Sequence, residues 1–104
     1  MGINMTLNSY KDEAKDFLQK IGALNEGVKS KINWLDDEFK LLKDAVNDNA
    51  QNRLKHQIYD MLFLLFEISA DYNFDLDKEW DIGKEHKQKK YIDNNYIDNN
   101  KGEE

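Results

Sequence analysis

Apolar residues recur at helical spacing along most of the chain, and they are densest between Leu54 and Tyr72. One stripe of this stretch consists of Ile58, Met61, Leu62, Leu65, Phe66 and Ser69. Phe63 and Leu64 add apolar surface on the remaining sides, and a helix that is apolar nearly all round must be buried from several directions. We therefore predict that this helix is the centre of the core. The run of six apolar residues from position 61 is too short to cross a bilayer.

Two helices are predicted before the central one. The first follows a cap at Asn8 or Ser9 and ends near Gly22. Its apolar stripe is Ala14, Phe17, Leu18 and Ile21. The second begins near Ser30 or Asn33 and ends in the polar turn at residues 47–49. Its core stripe is Leu35, Phe39, Leu42 and Val46, and Trp34, Leu41 and Ala45 broaden it.

The third helix is predicted from about Ala50 to Asp71 or Tyr72, with Asn73 at the break that follows. Asp75 then caps a fourth helix, whose Leu76 and Trp80 are expected to pack inward. From residue 91 the sequence Tyr-Ile-Asp-Asn-Asn occurs twice in tandem. Its Asn and Asp content favours turns or disorder. We therefore predict one helical domain over residues 1–90 and a flexible tail over 91–104.

The composition agrees with an all-α fold of about four helices. The chain contains no Pro and five Gly, and no stretch alternates apolar and polar residues as a strand does. It contains no Cys, which excludes disulfides and thiolate metal sites and fits a reducing compartment. The first nine residues lack the basic and apolar regions of a signal peptide. We therefore expect a cytoplasmic protein.

The net charge is −6, which argues against direct nucleic-acid binding because phosphate contacts need a basic surface. Twelve acidic residues lie between Asp36 and Asp81, where there are only five basic residues. Those basic residues are Lys40, Lys43, Arg53, Lys55 and Lys78. Such a surface suits a basic partner, and it is also what an ordinary solvated helical face carries.

Residues 34–91 resemble the MazG family of all-α nucleoside triphosphate pyrophosphohydrolases. The similarity is carried by DMLFLLFEISADYNFDL at residues 60–76 and by DEFKLLKDA at residues 37–45. The resemblance implies a helical fold in which two acids three residues apart on one helix face two more on the next. Four such carboxylates hold Mg²⁺, which in turn carries the substrate phosphates.

The four acid positions of the family fall on Glu38, Leu41, Gln57 and Asp60 in this sequence. Two acids are therefore replaced, and only Glu38 and Asp60 remain as candidate metal ligands. Asp37 and Asp44 lie close in sequence but do not restore the spacing. Lys87 stands where the family often has an Asn that contacts the nucleotide.

Other chemistry has little support in the sequence. Glu38 could instead be solvated, and Asp60 could pair locally with Lys55 or Arg53. His56 and His86 have no second histidine at helical spacing, so neither suggests a metal site. We find no nucleophile motif and no Gly-rich phosphate loop, and we assign no catalytic residue.

The sequence therefore favours a non-catalytic, MazG-like interaction protein that forms a homodimer and binds a basic protein, such as a DNA-binding protein, by imitating nucleic acid. The expected partner-binding residues are Asp36, Asp37, Asp44, Asp48, Asp71, Asp75, Asp77, Glu79 and Asp81. The expected dimer interface is Phe63, Leu64 and Phe66. This hypothesis requires no cofactor. The alternative is a Mg²⁺-dependent nucleotide pyrophosphohydrolase with an altered site, and a third hypothesis is a nucleotide sensor that does not cleave.

Overall fold

The computed structural model of the chain describes residues 5–93, and nearly all of this backbone is helical. The α-helices are α1 at Leu7–Lys20, α2 at Val28–Asn47, α3 at Gln51–Tyr72 and α4 at Leu76–Lys87. A π-helical segment, Gln88–Asp93, follows α4. No strand occurs within residues 5–93, which confirms the predicted all-α class and its four helices. None of these helices combines the length and apolar character needed to span a membrane.

Two helices begin at side-chain caps. The Thr6 hydroxyl accepts a hydrogen bond of 3.1 Å from the Ser9 backbone N–H, so α1 begins before the predicted caps. The Asp75 carboxylate accepts one of 3.1 Å from the Lys78 backbone N–H, which confirms the predicted start of α4. α2 begins directly after Gly27, earlier than expected, with no side-chain cap.

The first three helices end in the same way. Gly22, Asn49 and Asn73 each adopt a left-handed conformation, with φ values of 73°, 55° and 55°. At each end the next backbone N–H reaches back five residues to a helical carbonyl, as in the hydrogen bond of 3.0 Å from Phe74 to Ser69. Glycine and asparagine tolerate this conformation better than other residues do. The predicted breaks at these positions are therefore confirmed, with their backbone geometry as the cause.

The chain divides into two compact units, residues 1–74 and 75–104. In the first unit, α3 packs against both α1 and α2, so the central stretch of the sequence also lies between its neighbours in space. The fully buried apolar residues of residues 5–93 are only Ala14, Leu18 and Ala45. The apolar core of a single copy is therefore thin.

Several residues predicted to be core are exposed in the single chain. Phe17, Ile21, Phe39 and Val46 each have more than 40% of their surface accessible, and Trp80 has 63%. The reason in the first unit is that α1 and α2 each pack mainly against α3, which covers only one side of each helix. The inward face of α2 is instead formed by Lys31, Leu35, Glu38, Leu42 and Ala45.

In the second unit, α4 contacts the π-helical segment that continues it. Residues 91–93, which open the predicted tail, belong to this segment and are helical rather than irregular. An ion pair of 3.7 Å between Lys89 and Glu85 links the two elements. The rest of the predicted tail, including the second copy of the repeat, lies outside the described residues.

Candidate functional site

The two candidate metal ligands, Glu38 and Asp60, lie on facing helices of the first unit. Glu38 is at the middle of α2, and Asp60 is in the first half of α3, one turn beyond Gln57. All three side chains are half-buried, because their spacing places them on the faces along which α2 and α3 meet. The two residues that the resemblance singled out are therefore brought to one region by the fold.

Glu38 accepts hydrogen bonds from the side-chain amide of Gln57. Gln57 Nε2 donates a hydrogen bond of 2.5 Å to Glu38 Oε1 and a longer one of 3.4 Å to the Glu38 carbonyl oxygen. Glu38 is therefore neither free in solvent nor facing a second carboxylate at this position. A neutral amide satisfies one of its oxygens where the family pattern would place a shared cation.

The sequence suggested Lys55 or Arg53 as the partner of Asp60, and the structure gives it another one. Its carboxylate lies 3.4 Å from His56 Nε2, one helical turn earlier, and one third of its side-chain surface remains exposed. Arg53 instead pairs with Asp48 at 2.6 Å. Asp60 is thus bound locally, as one of the two sequence interpretations expected.

The residues around Glu38 and Asp60 do not fit a Mg²⁺ site. Mg²⁺ needs several oxygen ligands in a near-octahedral arrangement, and Leu41 offers none. Within residues 5–93, no group of three or more histidine, aspartate or glutamate side chains is arranged so that it could hold a metal ion. Asp37 and Asp44 are both exposed on α2 rather than turned toward α3.

A cleft of about 540 Å³ opens beside these residues. α1, α2 and α3 all contribute to its wall. Its lining combines three carboxylates with four aromatic rings and one leucine. The lining residues are Glu13, Phe17, Trp34, Glu38, Tyr59, Asp60, Phe63 and Leu64. We name it the acidic aromatic cleft.

The expected partner-binding carboxylates differ in how free they are. On α2 they lie within an arc of about 120° on one exposed helical face, and this set is Asp36, Asp37, Asp44 and Asp48. Lys40 pairs with Asp36 at 3.4 Å and Arg53 with Asp48, so basic side chains neutralise part of this face. On α4, Glu79 and Asp81 are exposed, whereas Asp75 caps the helix and Asp77 is half-buried.

Asp71 is exposed as a residue, but its carboxylate is paired with a buried lysine. Its carboxylate lies 2.7 Å from Nζ of Lys31, whose side chain is fully buried and also donates to the Glu26 carbonyl at 2.8 Å. Glu67, 5% exposed, lies near this pair. Its pKa is raised chiefly by burial, further by Asp71, and is opposed by Lys31. We name Lys31, Glu67 and Asp71 the buried ion cluster.

Sequence reasoning missed the buried ion cluster and a related contact. Lys11, 7% exposed, donates through Nζ to the carbonyl of Phe74. The available signal was spacing: Lys31 is four residues before Leu35 and fourteen before Ala45, which places it on the inward face of α2. A polar residue at a position with core spacing indicates a buried, paired group rather than a solvated one.

The predicted interface residues take part in contacts within the chain. The Phe63 ring meets Phe17 edge-on at 5.3 Å, and the Phe66 ring stacks on Tyr10 at 5.8 Å. With Leu64 they are half-buried, while Ile58, Leu62 and Leu65 on α3 are each 48% exposed.

No protein-family model, curated protein or solved structure matches this chain.

Proposed function

We propose that the chain is a non-catalytic interaction protein with a MazG-like arrangement of helices, and that it binds a basic protein through its carboxylates. The observation that carries this proposal is the hydrogen bond from Gln57 to Glu38. It occupies the place where the resemblance implies two opposed acids and a cation between them. A helix pair in this state keeps its packing with two carboxylates, Glu38 and Asp60, in place of the four that the resemblance implies.

The exposed acids support a basic partner. Asp37 and Asp44 on α2, and Glu79 and Asp81 on α4, are accessible and have the charge sign of nucleic-acid phosphates. We infer that the partner is a DNA-binding or similar protein whose basic face accepts either these carboxylates or DNA. Asp71 is left out of the proposed binding set because it belongs to the buried ion cluster.

The catalytic half of the proposal is tested with Mg²⁺ and nucleotides. We expect millimolar Mg²⁺ to leave the Tm of the natural chain unchanged and a panel of nucleoside triphosphates to release no pyrophosphate. The double variant Leu41→Glu, Gln57→Glu restores both acids. Mg²⁺ should raise its Tm by roughly 4–8 °C for each ~1 kcal/mol of binding free energy.

The variant Leu41→Gln is the control, because it places a neutral amide where the test variant has a carboxylate, and position 57 already carries an amide. Pyrophosphate release by the natural chain that depends on Mg²⁺ and is lost in Asp60→Asn would contradict the proposal. It would favour the alternative, a pyrophosphohydrolase with an altered site. That alternative draws its support from Glu38 and Asp60 lining one cleft.

The partner half is tested by capture from a lysate followed by competition. We expect a captured basic protein to be displaced by duplex DNA and to bind less tightly as salt rises, because exposed charges are screened within about 8 Å at physiological ionic strength. The variant Asp37→Asn, Asp44→Asn, Glu79→Gln, Asp81→Asn should weaken capture. Simultaneous binding of DNA and this chain to the partner would contradict imitation of nucleic acid.

A further inference from the structure

The acidic aromatic cleft combines negative charge with ring surface in one unit of the chain. Glu13 from α1 and Glu38 from α2 face it with Asp60 from α3, so each helix of the first unit supplies one carboxylate. None of the expected partner-binding acids lines it. The cleft is therefore a feature additional to the exposed acidic faces.

Its carboxylates are suited to an extended cation rather than to a metal ion. They come from three different helices, and within residues 5–93 no group of three acidic or histidine side chains is arranged to hold a metal ion. One Glu38 oxygen is already bound by Gln57. A cation with several N–H donors spread over a planar group can reach separated carboxylates, whereas a small ion cannot.

The rings give the cleft walls that favour the same ligand. Phe17 meets Phe63 edge-on, and Tyr59 lies 5.8 Å from Phe63, so three rings support one another along one side. Trp34, 40% exposed, contributes a fourth. In the part of the chain that the structure describes, the lysines found over rings are Lys43 over Phe39 and Lys90 over Tyr91, and neither ring lines the cleft.

We propose that the cleft receives an arginine side chain of the basic partner, which deepens the proposed function and rests on it. The guanidinium group is planar and weakly hydrated, stacks on aromatic faces and donates five hydrogen bonds in a fixed fork. The rings contact its faces, and the carboxylates of Glu13 and Asp60 accept from its edges. A lysine offers the charge without the plane, so it binds more weakly here.

The cleft contains its own reporter, because Trp34 is one of two tryptophans in the chain. With Trp80→Phe as background, tryptophan fluorescence follows the cleft alone. We expect a glycine-spaced peptide with four arginines to change this fluorescence saturably. The same peptide with lysine should bind several-fold more weakly, and with citrulline, the neutral isostere of arginine, it should not bind detectably.

Two variants in the cleft are compared with a neighbour outside it. Asp60→Asn and Glu13→Gln should each weaken the arginine peptide about tenfold. Asp12→Asn removes the same charge from the adjacent exposed position of α1 and should change affinity less than about twofold. Glu13 is exposed, so its variant keeps the test valid if Asp60→Asn lowers stability. Equal binding of the citrulline peptide, or equal loss in Asp12→Asn, would overturn the assignment.

The captured partner separates failure of this inference from failure of the proposed function. If the partner binds but Glu13→Gln and Asp60→Asn leave its affinity unchanged, the arginine site is wrong and the basic partner stands. If the peptide binds in the cleft but no basic protein is captured, the arginine site stands and the proposed function is wrong. Loss of partner binding in both cleft variants, with the Asp12→Asn control retained, supports both.

Discussion

At the scale of single residues, two lysines from neighbouring helices stabilise the C-terminal end of α3. Lys31 and Lys11 bring their ammonium groups from α2 and α1 to the last turn of α3, where Asp71 and the Phe74 carbonyl accept from them. α3 has no basic residue of its own in that turn. Positive charge at a helix C-terminus is favourable, and here it comes from neighbouring helices. These lysines therefore fix three helices to one another.

Removing the partner of Lys31 should be costly. Asp71→Asn leaves a buried ammonium group without its carboxylate, and we expect it to lower the free energy of unfolding by about 3 kcal/mol. Urea denaturation measures the loss. Asp16→Asn is the control, because it breaks an exposed pair with Lys20 on α1 that is worth about 0.5 kcal/mol or less. Adding Lys31→Met to Asp71→Asn should recover most of the loss, and equal effects in both aspartate variants would contradict a structural ion pair.

Glu67 should make stability depend on pH. Burial raises its pKa above the ordinary value of 4.5, so folding favours the protonated form. The stability that this group contributes is fully present below pH 4.5 and is lost as pH rises through the raised pKa. Glu67→Gln stays neutral and should therefore have a higher Tm than the natural chain at neutral pH. The difference should vanish below pH 4.5, and a gain of the same size at both pH values would contradict this origin.

At the scale of elements, the sequence predicted which helices form and where they end. The breaks after α1, α2 and α3 follow from residues that accept a left-handed backbone, and the start of α4 follows from the Asp75 cap. The sequence predicted that Phe39 and Val46 lie on the inward face of α2, because both are apolar. The structure exposes both residues and buries Lys31 instead. Which of two apolar faces a helix buries depends on its neighbours, and one sequence does not specify them.

The candidate site was predictable only in part for the same reason. The family resemblance led us to expect Glu38 and Asp60 on facing helices, but the bond from Gln57 depends on the register between α2 and α3. The acidic aromatic cleft further requires α1, whose Glu13 and Phe17 are far from the other lining residues in sequence. Helical periodicity describes one helix at a time. It therefore does not predict a cleft whose lining residues come from three helices.

Asn73 should be a sensitive position for the end of α3. Its φ of 55° suits asparagine and glycine, and a β-branched residue there is strained by about 1–2 kcal/mol. We expect Asn73→Val to lower the free energy of unfolding by that amount and Asn73→Gly to change it little. Asn47→Val, within the last turn of α2, is the control for side-chain effects at a helical backbone. Similar losses in Asn73→Gly and Asn73→Val would contradict the backbone explanation.

At the scale of the whole molecule, large apolar side chains that are exposed outnumber buried apolar ones within residues 5–93. Two stripes with a seven-residue repeat stand out, one on α2 and one on α3, and each member is more than 40% exposed. They are Ile32, Phe39 and Val46, and Ile58, Leu65 and Tyr72. The helices that carry the two stripes, α2 and α3, are joined by a short turn. A second copy of this helix pair could therefore cover both stripes. The homodimer stays a prediction, and these two stripes are a second candidate interface beside Phe63, Leu64 and Phe66.

Light scattering tests the homodimer. We expect twice the chain mass at micromolar concentration, and Leu65→Asp should yield a folded monomer because it places a charge in the proposed interface. Ile82→Asp, an equally exposed apolar position on α4, should leave the mass unchanged. A natural chain that is monomeric at this concentration would contradict the homodimer. Helical content measured by circular dichroism separates dissociation from unfolding.

The burial of Lys31 also determines how this protein reacts with acylating reagents. An amine must be deprotonated and reachable to attack an activated ester, and the Lys31 Nζ is enclosed and bound to Asp71 and the Glu26 carbonyl. Its acylation therefore proceeds only through molecules in which α2 has opened from α3. Exposed Lys29, on the same helix as Lys31, reacts without any opening and provides the reference rate. The ratio of the two rates, followed by peptide mass, gives the frequency of that opening in the native protein.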